Sequence, residues 1–188
     1  MTAQVRIFDN VLKPEEQQAV WAYLAGPGWA YGGFSTDGGD RYFYKHFAGF
    51  MTDGKEPRTP EEIEAQLSAT SPMMFQFWQA LKQTALKDEL LARCYANGMP
   101  GGVEGGLHLD SNVEGHLTAI YYPHLAWSPN LGGETLLFNA AGDEIVAAIY
   151  PRPNRLAVFD GTIPHVARPM SRRASDLRIT LMFKTMSK

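Results

Sequence analysis

The chain has 188 residues, 45% of them apolar and 20% charged, with a formal net charge of −3 and a single cysteine. That length fits one domain, spanning 1–188, with a core that needs neither disulfides nor structural metal. The charge balance excludes the clustered Lys and Arg that nucleic acid or an anionic membrane surface demands, and Arg172-Arg173 reads as a solvated loop pair. Met1-Thr-Ala-Gln-Val-Arg-Ile-Phe8 lacks the apolar run of a signal peptide, and no stretch approaches the roughly 18 apolar residues of a membrane span. The expectation is a cytoplasmic protein without nucleic-acid or membrane partners, and Cys94 reads as a buried small hydrophobe.

In chain order, Val5–Phe8 reads as a short strand. A helix follows from Pro14, with Glu15 and Glu16 at the positive end of its dipole and Val20, Tyr23 and Leu24 on one face; Gly26-Pro-Gly28 ends it. Residues 31–60 read as loop around one strand, Arg41–Phe47, with Thr36–Asp40 and Thr52–Pro57 as its loop parts. Pro60-Glu-Glu opens a short helix. Ser71-Pro72 provides an N-cap and first-turn proline for a longer helix through about Leu90, with Met74, Phe75, Phe77, Trp78 and Leu81 as its core face.

Beyond Leu91 the texture turns to short β-like runs punctuated by Gly, Pro and Asn. The candidates are Leu91–Tyr95, Leu107–Asp110, Leu117–Tyr122, Glu134–Phe138, Glu144–Ile149, Arg155–Phe159, His165–Arg168 and Arg178–Phe183. Eight strands after a helical front half predict an α+β, mainly β fold: a double-stranded β-helix (jelly roll) with the N-terminal helices packed on one side.

His108-Leu109-Asp110 is the first chemical anchor. Residues two apart on a strand share a face, so the imidazole and the carboxylate project together. Ile163-Pro164-His165 supplies a second imidazole. Two His and one carboxylate on one side of an ion form the facial triad of non-haem Fe(II) oxygenases, with open positions left over. Arg178-Ile-Thr-Leu-Met-Phe183 places Arg178, Thr180 and Met182 on one face, and an inward Arg needs a partner such as an acidic co-substrate.

These pieces resemble the 2-oxoglutarate oxygenases, nearest to the prolyl-hydroxylase branch. The resemblance runs through Cys94-Tyr-Ala-Asn-Gly, His108-x-Asp110, Ala119–Tyr122, the Trp127 turn, Gly132-Gly-Glu134, Asn154–Phe159, Pro164-His165-x-x-x-Pro169 and the Arg178 strand, in that order. It implies His108, Asp110 and His165 as Fe(II) ligands. It implies Arg178 on the distal carboxylate of 2-oxoglutarate, with Tyr122, Tyr95 and Thr180 in the same pocket. The spacing from His165 to Arg178 is longer than in that branch, which leaves Arg172 or Arg173 as alternative anchors; Arg178 is preferred because it begins a strand. Asp110 stands where the related halogenases carry a small residue, so hydroxylation is implied, consuming O2 and releasing succinate and CO2.

By the same resemblance the segment before the second helix touches substrate, which nominates Arg41, Tyr44, Lys45 and His46, with Trp127 as a wall. His116 and His124 read as exposed strand-end residues. The substrate expectation is a small molecule, an amino acid or natural-product intermediate, with a protein prolyl or other side chain as the alternative. A cupin-like metal isomerase or hydrolase, which has no need of Arg178, and a non-catalytic jelly-roll binding module are the competing classes.

Overall fold

The computed structural model describes residues 5–50 and 59–187; the loop expected at 52–57 lies outside the described residues. Strand β1 (Arg6–Asp9) precedes helix α1 (Pro14–Ala25), which opens as its sequence predicts: Pro14 sits in the first turn and Glu16 accepts the Lys13 amide at 2.9 Å. Helix α2 (Pro60–Thr70) opens on a reciprocal cap, Thr59 Oγ1 accepting the Glu62 amide while Glu62 accepts the Thr59 amide. Helix α3 spans Pro72–Lys82. The remaining strands are β2 (Ala30–Gly33), β3 (Tyr42–Ala48), β4 (Leu90–Met99), β5 (Leu117–Tyr122), β6 (Thr135–Phe138), β7 (Ile145–Ile149), β8 (Arg155–Asp160), β9 (His165–Ala167) and β10 (Arg178–Met186).

Four local expectations differ from what is observed. Ala30–Gly33 forms an edge strand paired to β3 although its composition reads as loop. Helix α3 stops at Lys82, eight residues early, because the chain breaks into turns and Asp88 adopts φ 69° before β4. Ser71 precedes α3 without a side-chain cap, and its buried hydroxyl has no partner among the described residues. Leu107–Asp110 is no regular strand; only His108 pairs, in an isolated antiparallel bridge to His165.

The strands form an antiparallel seven-stranded sheet in the order β1-β8-β5-β10-β4-β3-β2 and a three-stranded sheet β7-β6-β9. Side chains alternate across the large sheet, so each central strand serves two interiors. On one face, Cys94, Ala96, Ala119, Tyr121, Leu156, Val158, Ile179, Leu181 and Phe183 pack on Leu24, Leu67, Phe77 and Trp78 of the helices. Trp78 is fully buried, and its indole N–H is satisfied by Glu64 at 2.8 Å. On the other face, Ile120, Tyr122, Ala157, Phe159 and Met182 meet Leu137 and Ile149 of the small sheet. This is the jelly roll backed by helices that the strand count predicts. Among the described residues no helix is long and apolar enough to cross a membrane.

His124 departs from expectation. It is 5% exposed rather than a surface residue, and its Nε2 accepts the Ile179 amide at 3.0 Å between the rings of Trp21 and Trp127. Burial, reinforced by the Arg178 charge, lowers its pKa from 6.5 to about 3. The unfolded chain therefore binds a proton between these values that the folded chain refuses. Stability contributed by neutral His124 is present above pH 6.5 and is lost progressively as pH falls toward 3. Urea unfolding at pH 7 and pH 5 is expected to show a wild-type loss that exceeds that of His124→Gln by about 1–2 kcal/mol.

Candidate metal centre and its cavity

No member of the predicted triad sits in the middle of a regular strand; the loop that carries His108 and Asp110 is gathered by backbone pairing onto His165, the first residue of β9, and onto the turn before it. His108 N–H donates to the His165 carbonyl at 3.1 Å, His165 N–H returns to His108 at 3.0 Å, and the Asp110 amide donates to Gly161 at 2.9 Å. The ligand atoms of His108, Asp110 and His165 consequently lie within 4.8 Å of one another. Each imidazole is oriented from behind: Nδ1 of His108 lies 2.8 Å from the Gly106 carbonyl and Nδ1 of His165 lies 2.8 Å from the Ile163 carbonyl. A carbonyl only accepts, so both Nδ1 atoms carry the proton and both Nε2 lone pairs face Asp110, at 3.5 Å and 3.1 Å from its oxygens. The donor set, the tautomers and the clustering all fit a divalent ion.

Asp110 has further partners that were not anticipated. Thr118 Oγ1 donates to its Oδ2 at 2.5 Å, and the Lys184 ammonium, bonded to Thr118 Oγ1 at 3.0 Å, contacts the same oxygen. Burial alone would raise the carboxyl's pKa, but the Lys184 charge leads the opposing effects and Asp110 is held well below the ordinary carboxylate range. It is an anion at any working pH.

The triad opens into a cavity of about 470 Å³. Strand β10 supplies Arg178, Thr180 and Met182 to its wall, and β4 supplies Arg93, Tyr95, Asn97 and Met99. Arg178 is 2% exposed. Its Nε donates to the Gly133 carbonyl at 2.6 Å and its Nη2 to Thr135 Oγ1 at 2.9 Å. Gly133 is required there: it has φ 81°, and a Cβ would stand 3.1 Å from Arg178 Cδ. Among the described residues no carboxylate pairs with this guanidinium within 4.0 Å. Burial pulls its pKa below the ordinary value, although Tyr122 and Glu134 act the other way. A buried cation so placed is the natural seat of an anionic ligand.

The structure brings some of the other nominated residues to the cavity and not others. Tyr95 and Thr180 line it, as do Tyr44 and His46. Tyr122 does not: it is fully buried behind the lining, its hydroxyl bonds Thr135 at 2.9 Å, and both hydroxyls adjoin the Arg178 guanidinium. Strand alternation removes Lys45, which turns to the opposite face of β3 and donates to the Tyr23, Leu24 and Gly26 carbonyls at the end of α1. Arg41 lies exposed over the Phe34 ring. Trp127 packs on His124 and donates to the Gly132 carbonyl, away from the lining. Arg172 and Arg173 are exposed and do not line the cavity, whereas Arg178 does. Arg93, Asn97, Met99, Thr135 and Lys184 were missed. Extending the alternation of Tyr95 along β4, and of Arg178 along β10, is the signal that would have found four of them.

No protein-family model matches the chain, and no curated protein matches it in sequence. Solved structures do match in shape. A Pseudomonas putida prolyl-4-hydroxylase aligns over 100% of this chain and 94% of its own, with TM-score 0.63 and 21% identity. HygX from Streptomyces hygroscopicus, solved with nickel and 2-oxoglutarate bound, aligns over 100% and 84% with TM-score 0.67 and 11% identity. A Trichoplax adhaerens prolyl hydroxylase, solved with a hypoxia-inducible-factor peptide, aligns over 99% and 84% with TM-score 0.60 and 16% identity. The fold is that of the 2-oxoglutarate/Fe(II) oxygenases.

Because Lys45 caps α1 rather than facing the cavity, Lys45→Met is expected to lower stability by about 1–3 kcal/mol through loss of charge-assisted bonds at the helix end. Metal affinity of the folded variant should equal that of the wild type. Urea unfolding and metal titration on the same preparation check both halves.

Proposed function

We propose that the chain is an Fe(II)- and 2-oxoglutarate-dependent dioxygenase, acting as one domain, that hydroxylates an unactivated C–H bond of a small molecule and releases succinate and CO2. The observation that carries this reading is the buried, carboxylate-free guanidinium of Arg178 in the cavity that also holds His108, Asp110 and His165. A metal site alone would suit a cupin-like isomerase or hydrolase; a desolvated Arg beside it, with no carboxylate partner among the described residues, favours a site that takes an acid.

In this reading His108, Asp110 and His165 would hold the iron, and the cavity they open into would take the oxo acid and O2. Iron bound there supplies the oxygen activation that couples decarboxylation of 2-oxoglutarate to oxidation of the substrate. The Arg178 fork, with Thr135 beside it, receives the distal carboxylate bidentately. Lys184 and Thr118 hold Asp110 by one oxygen, which orients the other toward His108. Apolar Ile120 and Met182 line the cavity beside these groups and limit water there.

Nickel and 2-oxoglutarate bound in the HygX structure support the pairing of metal and oxo acid on this fold. The small-molecule reading is supported by a cavity of about 470 Å³, a size that suits one small ligand beside the co-substrate. The peptide held by the Trichoplax enzyme is the reason to keep a protein side chain as the alternative.

Anaerobic titration of the metal-free protein with Fe(II) and then 2-oxoglutarate is expected to develop the visible charge-transfer band of a chelated keto acid. Arg178→Met should keep metal affinity and weaken 2-oxoglutarate binding roughly 10–100-fold, the range for a lost charge-assisted contact. His108→Ala should abolish the band by losing the metal. Iron binding without a band in the wild type would overturn the oxo-acid reading and put the cupin-like class first.

A further inference from the structure

Among the described residues, three charged side chains line the cavity: Asp110, Arg178 and Arg93. Given the reading above, Asp110 is taken by the metal and Arg178 by the co-substrate. Arg93 is left. It projects from β4 on the same side as Tyr95, Asn97 and Met99, and it pairs in register with Lys184, whose ammonium contacts Asp110. The guanidinium therefore sits one strand away from the metal-binding carboxylate, toward the exposed end of the wall, since Arg93 is exposed while Met99 is buried.

The surroundings of Arg93 are unusual for an exposed arginine. Among the described residues it has no carboxylate partner and donates no side-chain hydrogen bond, yet it is fixed by aromatic rings. Its Cζ lies 4.5 Å from the Phe50 centroid and 5.3 Å from that of Tyr95. Phe50 is in turn stacked on His46 at 3.4 Å and 2°, and His46 packs on Tyr44 at 4.5 Å. Rings covering the faces of a guanidinium leave its N–H edge free and reduce the freedom it would lose on binding. Burial, with a contribution from Arg93 itself, lowers the His46 pKa to about 4, so the neighbouring imidazole is neutral near pH 7 and adds no positive charge beside Arg93.

Resting on the Fe(II)/2-oxoglutarate reading of the cavity, we propose that Arg93 is a specificity-determining anchor for a carboxylate on the substrate, and that the substrate is a small free acid with a flat or ring-shaped body seated against Tyr44, His46 and Tyr95. Two charge-assisted N–H donors match the two oxygens of such a group, and the register with Lys184 aims the rest of the molecule at the metal side of the cavity. A residue in the interior of a peptide, which has no free carboxylate, does not satisfy this site.

The test uses benzoate and its uncharged isostere benzamide as probes, titrated calorimetrically into the anaerobic Fe(II)–2-oxoglutarate complex while the charge-transfer band is followed. Benzoate is expected to bind at least about tenfold more tightly than benzamide, the loss expected for a broken charge-assisted pair, with the band retained. Arg93→Met should erase that preference and Arg93→Lys should keep part of it. Equal affinities, no measurable benzoate binding, a preference that survives Arg93→Met, or bleaching of the band through displacement at Arg178 would each overturn the anchor. A wild-type protein that gives no band at all overturns instead the class reading on which the anchor rests.

Discussion

Strand β10 has to satisfy two opposite surroundings with one alternating sequence. Ile179, Leu181 and Phe183 are buried against the helices, where only apolar packing is tolerated. Arg178, Thr180, Met182 and Lys184 alternate with them on the other face, toward the cavity or the Asp110 carboxylate. A slip of one residue would drive two cations into the helix-facing core and turn the apolar row toward the cavity. Register is held by pairing on both sides, to β4 over its whole length and to β5 over Leu181–Lys184. The cavity wall and the hydrophobic core thus share one determinant.

The candidate metal-ligating groups are arranged differently. His108 and Asp110 lie on a loop and His165 opens β9, and what joins them is hydrogen bonding between these segments: the reciprocal His108–His165 bridge, the Asp110 amide on Gly161, and a carbonyl behind each imidazole. Such an arrangement leaves both Nε2 atoms free of protein protons and pointed at one carboxylate. Lys184 and Thr118 then anchor that carboxylate from the sheet, which couples the loops to the rigid part of the fold.

Electrostatically the cavity is divided into zones. A desolvated guanidinium lies at its buried end, an anion held by histidines and a lysine lies beside it, and a solvent-reaching guanidinium flanked by rings stands at the rim. Each uncompensated charge raises the free energy of the empty pocket, and an ion or acid of opposite sign lowers it. This distribution favours charged ligands and disfavours a purely apolar guest.

How much of this was legible depended on the range of the interactions involved. The α+β class, nearly every strand, the starts of α1, α2 and α3 and the triad residues all follow from local rules: period-two alternation, first-turn prolines, Glu at the positive end of the helix dipole and metal-donor chemistry. The end of α3 and the edge strand Ala30–Gly33 do not, because a turn at Asp88 and pairing with β3 are decided by distant chain. Which way Lys45 turns, that His124 is buried, and that Thr135 joins Tyr122 beside Arg178 follow only once the sheets are packed. The sequence by itself determined which side chains alternate and which are able to bind a metal or an acid. Only the tertiary structure decided which of them share a cavity, because contacts such as Lys184 with Asp110 join residues 74 apart in the chain, and no local preference encodes that meeting.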